Sequence, residues 1–259
     1  MPRVEDDALL TGRGRFADDL GARPGTLHAA VLRSPHAHAR VLAVDAAPAL
    51  AWPGVRAVLT GADVKAWTRP FVVGVKSPME HYCLAVDTVR YVGEPVAVVM
   101  AETRALAEDA LDAIVVTYEA LPAVVGVEAA IAAAAAMLHP AVGSNVPSDR
   151  HFSYGDPDGA FATAPHRVGL TVQYPRNSCT PIECYVVLAE FMPGDEGYEA
   201  TSNFQGPFSL HTVMALALQI PAARLRLRTA PHSGGSFGVK QGVFPLIVMM
   251  CLARRKAGG

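Results

Sequence analysis

The stretch "EPVAVVMAE", residues 94–102, is the strongest single constraint on what this chain can fold into. It is a continuous apolar run bounded by Gly93 and Thr103, and it lacks the alternation of a half-wet strand. Such a run suits a strand buried on both faces, so other elements must cover it from two sides. The next segment, "RALAEDALDAIVV", has mixed helical spacing at Ala105, Leu106, Asp109, Ala110 and Ile114. Glu108 and Asp112 fall on its wet side, and Thr103 is placed to cap it. "VVTYEALP" returns to strand, which predicts a β-α-β unit closing near residue 122. Upstream, "TLHAAVLRS" and "HARVLAVD" read as strands parted by the turn signal Ser34-Pro35-His36. "GVRAVLTGADV" reads as strand, glycine turn and a short helix capped at Gly61 or a neighbour. Together these elements predict a mixed α/β or α+β domain over residues 1–125.

The alanine run in "VGVEAAIAAAAAMLHPAVGSNVPSD" favours helix, and Pro140, Gly143 and Pro147 then break it. Residues 126–150 are therefore expected to be a connector with one short helix. A second domain is expected over residues 151–259. In it "VGLTVQYPRN" reads as a strand, and "YVVLAEFMPGDEGYEATSN" as a hairpin turning at Pro193–Gly197. "PFSLHTVMALAL" reads as a helix with Pro207 at a favourable early position and Pro221 marking its end. "RLRLRTA" alternates as a strand whose Arg224, Arg226 and Arg228 form a solvated face. An apolar helix follows from about Val243 to Lys256, stopped by Gly258 and Gly259.

The glycine-rich stretch "PHSGGSFGVKQG", residues 231–242, thus lies between a strand and a helix N-terminus. Free N–H groups and the helix dipole favour an anion there, and glycines let backbone approach a ligand closely. The stretch fits neither the Walker A pattern nor the dinucleotide Gly-x-Gly-x-x-Gly. Two readings stay open: a ligand cradle, or a structural turn. "ATSNFQGPFSLH" places Gln205 ahead of Gly206-Pro207 in the same strand-to-helix setting. Its carboxamide is either a donor to an oxo group or carbonyl, or a helix cap. Two such loops, both following strands, can converge at one end of a sheet, where ligands tend to sit. His211 and His232 flank these loops and read as hydrogen-bonded structural residues. Glu183 and Glu190 are candidate paired acids, but nothing in their spacing requires them to meet.

Composition excludes several classes. A formal charge of −2 over 259 residues, with scattered basic residues, leaves no footprint for nucleic acid or an anionic membrane. "VFPLIVMMCLARR" is too short to span a bilayer and reads as a buried helix. The N-terminus lacks the apolar core of a signal peptide. Cys83, Cys179, Cys184 and Cys251 make no C-x-x-C pair, so no zinc or iron–sulfur site is spelled out, and they read as packing residues of a cytoplasmic protein.

Five blocks carry a resemblance: "RVEDDALLTGRGRFADDL", "VRYVGEPVAVVMAETRALAEDALDAIVVTYEALP", "TPIECYVVLAEF", "TSNFQGPFSLH" and "GGSFGVK". In this order they resemble the large subunit of the molybdenum hydroxylases, the xanthine dehydrogenase, aldehyde oxidase and carbon monoxide dehydrogenase family. The resemblance implies an a/b hammerhead domain over residues 1–125, then the start of the first molybdopterin-binding domain, incomplete at the C-terminus. It implies that Gln205 hydrogen-bonds an oxo ligand of molybdenum, with no direct metal ligand from this chain. Gly206, Gly234, Gly235, Ser236, Phe237 and Gly238 would line the pterin cofactor. Ser236 stands where the family usually has a third glycine, so it either crowds the cofactor or adds a hydrogen bond. Thr180–Glu183 would be architectural beside the substrate channel, and Cys184, in place of a proline, a packing residue.

By the same resemblance the chemistry is oxidative hydroxylation of aldehydes or N-heterocycles, or oxidation of carbon monoxide, with water as oxygen source. The cofactor would be molybdopterin, in bacterial members usually the cytosine dinucleotide form. Electrons would leave through two-iron two-sulfur clusters on a small subunit and FAD on a medium subunit. The general-base glutamate of the family lies far beyond residue 259, so catalysis would require further large-subunit polypeptide, on a complementary C-terminal chain or on a longer chain of which this is a piece, and the isolated chain is expected to be inactive. The alternatives are a non-catalytic truncated or assembly remnant, and a simple phosphate- or nucleotide-binding module.

Overall fold

The computed structural model of the chain describes residues 3–74, 79–174 and 179–258. The first half runs α1 (Asp6–Leu10), β1 (His28–Arg33), β2 (Ala39–Asp45), α2 (Ala47–Leu50), β3 (Val55–Thr60), α3 (Gly61–Trp67) and β4 (Thr88–Val89). It continues with β5 (Pro95–Ala101), α4 (Arg104–Asp109), β6 (Val115–Ala120) and α5 (Val127–Ile131). The second half runs α6 (Pro157–Thr163), β7 (Val187–Met192), β8 (Gly197–Ser202), α7 (Pro207–Ala217), β9 (Leu225–Thr229) and α8 (Phe244–Lys256).

The apolar run becomes β5, the centre of an antiparallel sheet ordered β1-β5-β3, and Val96 to Ala101 are all buried. Successive side chains leave opposite faces of a strand. Val98 and Met100 accordingly enter a core shared with α8. Ala97, Val99 and Ala101 enter a second core with Ala49, Ala107, Ala110 and Ile114. Thr103 caps α4 as expected, accepting the Leu106 N–H at 3.2 Å. The expected β-α-β unit does not form. β6 belongs to a second antiparallel sheet, ordered β4-β2-β6, so α4 links two sheets instead of crossing over one. An apolar run identifies a buried strand but not its neighbours. β6 alternates between exposed and half-buried positions over most of its length, as a half-wet strand does.

In the connector the helix is α5, and the alanines that follow Ile131 do not extend it; Ala132 already has extended backbone. A short exposed helix has little to offset its nucleation cost. Asn145 organises this stretch instead, donating to the carbonyls of Ala130 (3.1 Å) and Ala136 (3.0 Å) and accepting the Leu138 N–H. The strand expected over residues 168–177 has no strand pairing at residues 168–174, and residues 175–177 lie outside the described residues. Val168, Leu170, Val172 and Tyr174 alternate like a strand but are exposed, because no neighbouring strand among the described residues pairs with them.

The third sheet is ordered β7-β8-β9. β7 and β8 form the expected antiparallel hairpin, and β8 and β9 are parallel, joined through α7. Arg224, Arg226 and Arg228 meet Glu196, Asp195 and Glu199 at 3.0, 2.8 and 3.0 Å on the solvated face. α8 buries Phe244, Ile247, Val248, Met249, Cys251, Leu252 and Ala253, and lies between the third sheet and β3. A helix apolar nearly all round is a core helix. Its end is tied to α3: Lys256 Nζ lies 2.6 Å from Asp63, and the Arg255 guanidinium sits 4.5 Å above the Trp67 ring. Among the described residues no helix is long and apolar enough to cross a membrane. Cys83 and Cys251 are buried thiols, and burial pushes Cys83 up to about 12 and Cys251 higher. Cys179 and Cys184 are exposed, which corrects their reading as packing residues; the Cys184 carbonyl accepts from Asn203 at 2.7 Å.

Leu252→Ala is expected to destabilise the chain by about 2–5 kcal/mol, since the site is fully packed. Because α8 is shared by both halves, urea denaturation followed separately in each half should move together. A shift confined to the second half would contradict the shared core.

Candidate functional site

β8 and β9 are parallel neighbours, so the loops that leave their C-terminal ends emerge at the same end of the sheet. Residues 203–206 lead from β8 into α7, and residues 230–243 lead from β9 into α8. The two loops meet, as their settings predict. The Gln205 N–H donates to the Lys240 carbonyl at 3.3 Å, and the Ser236 hydroxyl donates to Gln205 Oε1. Gly206 takes the left-handed conformation at the start of α7, with Pro207 in its first turn.

The glycine loop is pinned from below. The Gly234 N–H donates to Glu183 Oε2 at 2.8 Å, and a Cβ on Gly234 would lie 2.4 Å from the Cβ of Glu183. Only glycine allows that approach. Gly235 (φ +94°) and Gly238 (φ +93°) are both left-handed, turning the chain around Phe237, whose ring is 75% exposed. His232 clamps the loop to the N-terminal segment: its Nδ1 accepts the Arg15 N–H at 2.9 Å, and its own N–H donates to the Arg15 carbonyl at 3.1 Å. His211 Nε2 bonds the Leu225 carbonyl at 2.7 Å. Both histidines are structural, as read.

The electrostatic centre is a residue pair the sequence reading left apart. Lys240 is fully buried, and its ammonium lies 2.5 Å from Glu183 Oε2. Glu183 also accepts the Ala17 N–H at 3.2 Å, so one carboxylate joins the N-terminal segment, the glycine loop and the turn that leads into α8. Burial opposes its ionisation, but the Lys240 ammonium and the Gly234 and Ala17 N–H groups prevail and hold its carboxyl below the usual carboxylate range. Glu190 lies elsewhere, 2.8 Å from Arg23, so the two acids do not pair. The available signal was the lysine itself: a cation a few residues ahead of an apolar helix start needs a carboxylate brought from afar.

What remains is a row of donors. The N–H groups of Gly235, Ser236, Phe237 and Gly238 have no protein acceptor among the described residues, and neither has Gln205 Nε2. Successive N–H groups in such a turn form an anion- or oxygen-binding concavity. The lysine of the loop is not among these donors, because Lys240 is buried and paired with Glu183. Among the described residues no cluster of His, Cys, Asp or Glu is arranged to hold a metal ion.

Comparison with known proteins finds relatives for both halves of the chain. Residues 11–122 match the family described as aldehyde oxidase and xanthine dehydrogenase, a/b hammerhead domain, and residues 138–259 match the molybdopterin cofactor-binding domain. The chain is 34% identical to the nicotine 6-hydroxylase large subunit of Paenarthrobacter nicotinovorans, over 98% of this chain and 31% of that protein. It is also 34% identical to the carbon monoxide dehydrogenase large chain of Hydrogenophaga pseudoflava, over 96% of this chain and 32% of that one. The crystal structure of quinoline 2-oxidoreductase from Pseudomonas putida 86 superposes with a TM-score of 0.89 at 36% identity, covering 100% of this chain and 33% of that one. The chain thus spans about a third of the length of the relatives it matches.

Lys240→Met would leave the Glu183 carboxylate without its cation, and is expected to cost about 3–5 kcal/mol. Glu183→Gln tests the sign of the pH dependence. A depressed folded pKa stabilises the fold above the unfolded value of about 4.3 and loses that contribution as pH falls through the folded pKa. The stability gap between wild type and Glu183→Gln should therefore shrink in acid, as measured by denaturant melts across pH; a gap constant with pH would refute the ion pair.

Proposed function

The chain belongs to the aldehyde oxidase and xanthine dehydrogenase family of molybdopterin-binding large subunits, and we propose that it forms one wall of the molybdenum-cofactor pocket in such a subunit. The observation that carries this reading is the convergence of Gln205 with the unengaged N–H groups of Gly235 to Gly238 at the ends of β8 and β9. These donors fit a group rich in oxygen acceptors. When bound, a molybdenum cofactor supplies oxidative hydroxylation, or carbon monoxide oxidation, with water as the oxygen source. This chain's part is to hold that group. Gln205 Nε2 donates to an oxo ligand, the loop N–H groups donate to pterin or phosphate oxygens, and the exposed Phe237 ring covers an apolar edge. We read the cofactor as the cytosine dinucleotide form, serving aldehydes or N-heterocycles, with iron–sulfur and FAD subunits as electron acceptors in the cytoplasm.

The buried lysine weighs against a simple phosphate- or nucleotide-binding loop, whose lysine must reach the ligand. Glu183, the carboxylate the structure brings to the loop, is committed to Lys240 and two N–H groups and is a poor general base. We therefore place the base on polypeptide corresponding to the rest of the relatives' length. Val168, Leu170, Val172 and Tyr174, exposed at alternate positions, support the packing of that polypeptide against this face.

Purified from a host that makes the cofactor, and assembled with the rest of the large subunit, the chain is expected to carry molybdenum. Gln205→Ala should lower molybdenum content about tenfold, the worth of a hydrogen bond to a charged group. The chain alone should show no dye-linked oxidation, and turnover by it would overturn the placement of the base. Leu170→Asp should leave the chain's own melting unchanged but abolish its co-purification with the rest of the subunit.

A further inference from the structure

We propose that Ser236 is a positioning residue that sets which end of the Gln205 carboxamide faces the open side of the site. The two ends of a carboxamide differ little in size, so only hydrogen bonding decides between them. The Ser236 hydroxyl has one proton and two lone pairs. The Lys240 N–H donates to its oxygen at 3.3 Å, and its proton goes to Gln205 Oε1. The reversed carboxamide would have to donate to the Ser236 oxygen, which already accepts the Lys240 N–H, leaving the hydroxyl proton to water and presenting a carbonyl outward.

Ser236 is itself held firmly. Its carbonyl accepts the Val239 N–H at 3.1 Å, opening the turn that carries Lys240, and the Lys240 ammonium is anchored on Glu183. The Lys240 carbonyl meanwhile takes the Gln205 backbone N–H. Lys240 thus fixes the backbone of Gln205 directly and its side chain through Ser236. The consequence is chemical: Nε2, a pure donor, is left for the ligand, and an acceptor-rich group is selected. Ser236 therefore acts through Gln205 and its hydroxyl proton does not reach the cofactor. This rests on the reading that Gln205 meets an oxygen of the cofactor.

The test starts on the full chain without cofactor. With 15N-glutamine labelling, the side-chain amides of Gln173, Gln205, Gln219 and Gln241 can be resolved, and Gln205→Ala identifies one pair. The Gln205 pair is expected to be dispersed and slow to exchange in wild type, to collapse toward exposed-amide positions in Ser236→Ala and Ser236→Gly, and to recover in Ser236→Thr. The other three pairs report that the variants remain folded. A Gln205 pair unmoved by Ser236→Ala overturns the proposal. In the molybdenum-loaded subunit, Ser236→Ala should reduce metal retention about fivefold, as expected for one lost hydrogen bond, with Ser236→Thr near wild type. If Gln205→Ala retains full molybdenum while the amide signals respond to Ser236, the cofactor reading of Gln205 fails and the role of Ser236 stands.

Discussion

The ion pair between Glu183 and Lys240 is the interaction on which the site depends. The two residues lie 57 positions apart, and Lys240 has no exposure to water. Burying an ammonium is costly unless a carboxylate and further hydrogen bonds meet it. Glu183 answers that cost and, with its remaining lone pairs, takes N–H groups from Gly234 and Ala17. A buried pair of this kind contributes little more to stability than well-packed apolar residues of similar volume would. Its contribution here is geometric. It holds the glycine loop, the entrance to α8 and the N-terminal segment in one register.

That register matters because of where the loops emerge. β8 and β9 are parallel, so the turn into α7 and the turn into α8 share one end of the sheet. α8 in turn is packed between the third sheet and β3, which makes the first sheet a support for the site without touching it. In the proposed reading, the groups that face the ligand are backbone donors, one carboxamide and the exposed Phe237 ring. The charge of Lys240 is buried beneath the loop and paired with Glu183. Such a surface suits a large anionic group recognised by many oriented N–H donors more than a small phosphate drawn in by a cation.

Much of this was legible in the linear chain. The hairpin around Pro193–Gly197, the limits of α7 and α8, the cap at Thr103 and the convergence of Gln205 with the glycine loop all follow from local turn chemistry and periodicity. The family resemblance carried by "TSNFQGPFSLH" and "GGSFGVK" pointed to the same residues. Other features were not legible. The strand partner of β6 depends on sheet order, the alanine-rich connector takes its shape from the Asn145 side chain, and the outward face of Cys184 follows from the backbone path around Asn203.

The sequence by itself determined most of the strands and helices, which loops lie at helix starts, and which glycines turn the chain, because those properties are settled within a few residues of each position. The run at residues 168–174, which alternates but finds no strand partner among the described residues, was not settled that way. Only the tertiary structure decided that Lys240 is a buried cation, that Glu183 is its partner, and that Ser236 faces Gln205. Each of these depends on burial and on a partner distant in the chain, and neither is encoded in local spacing.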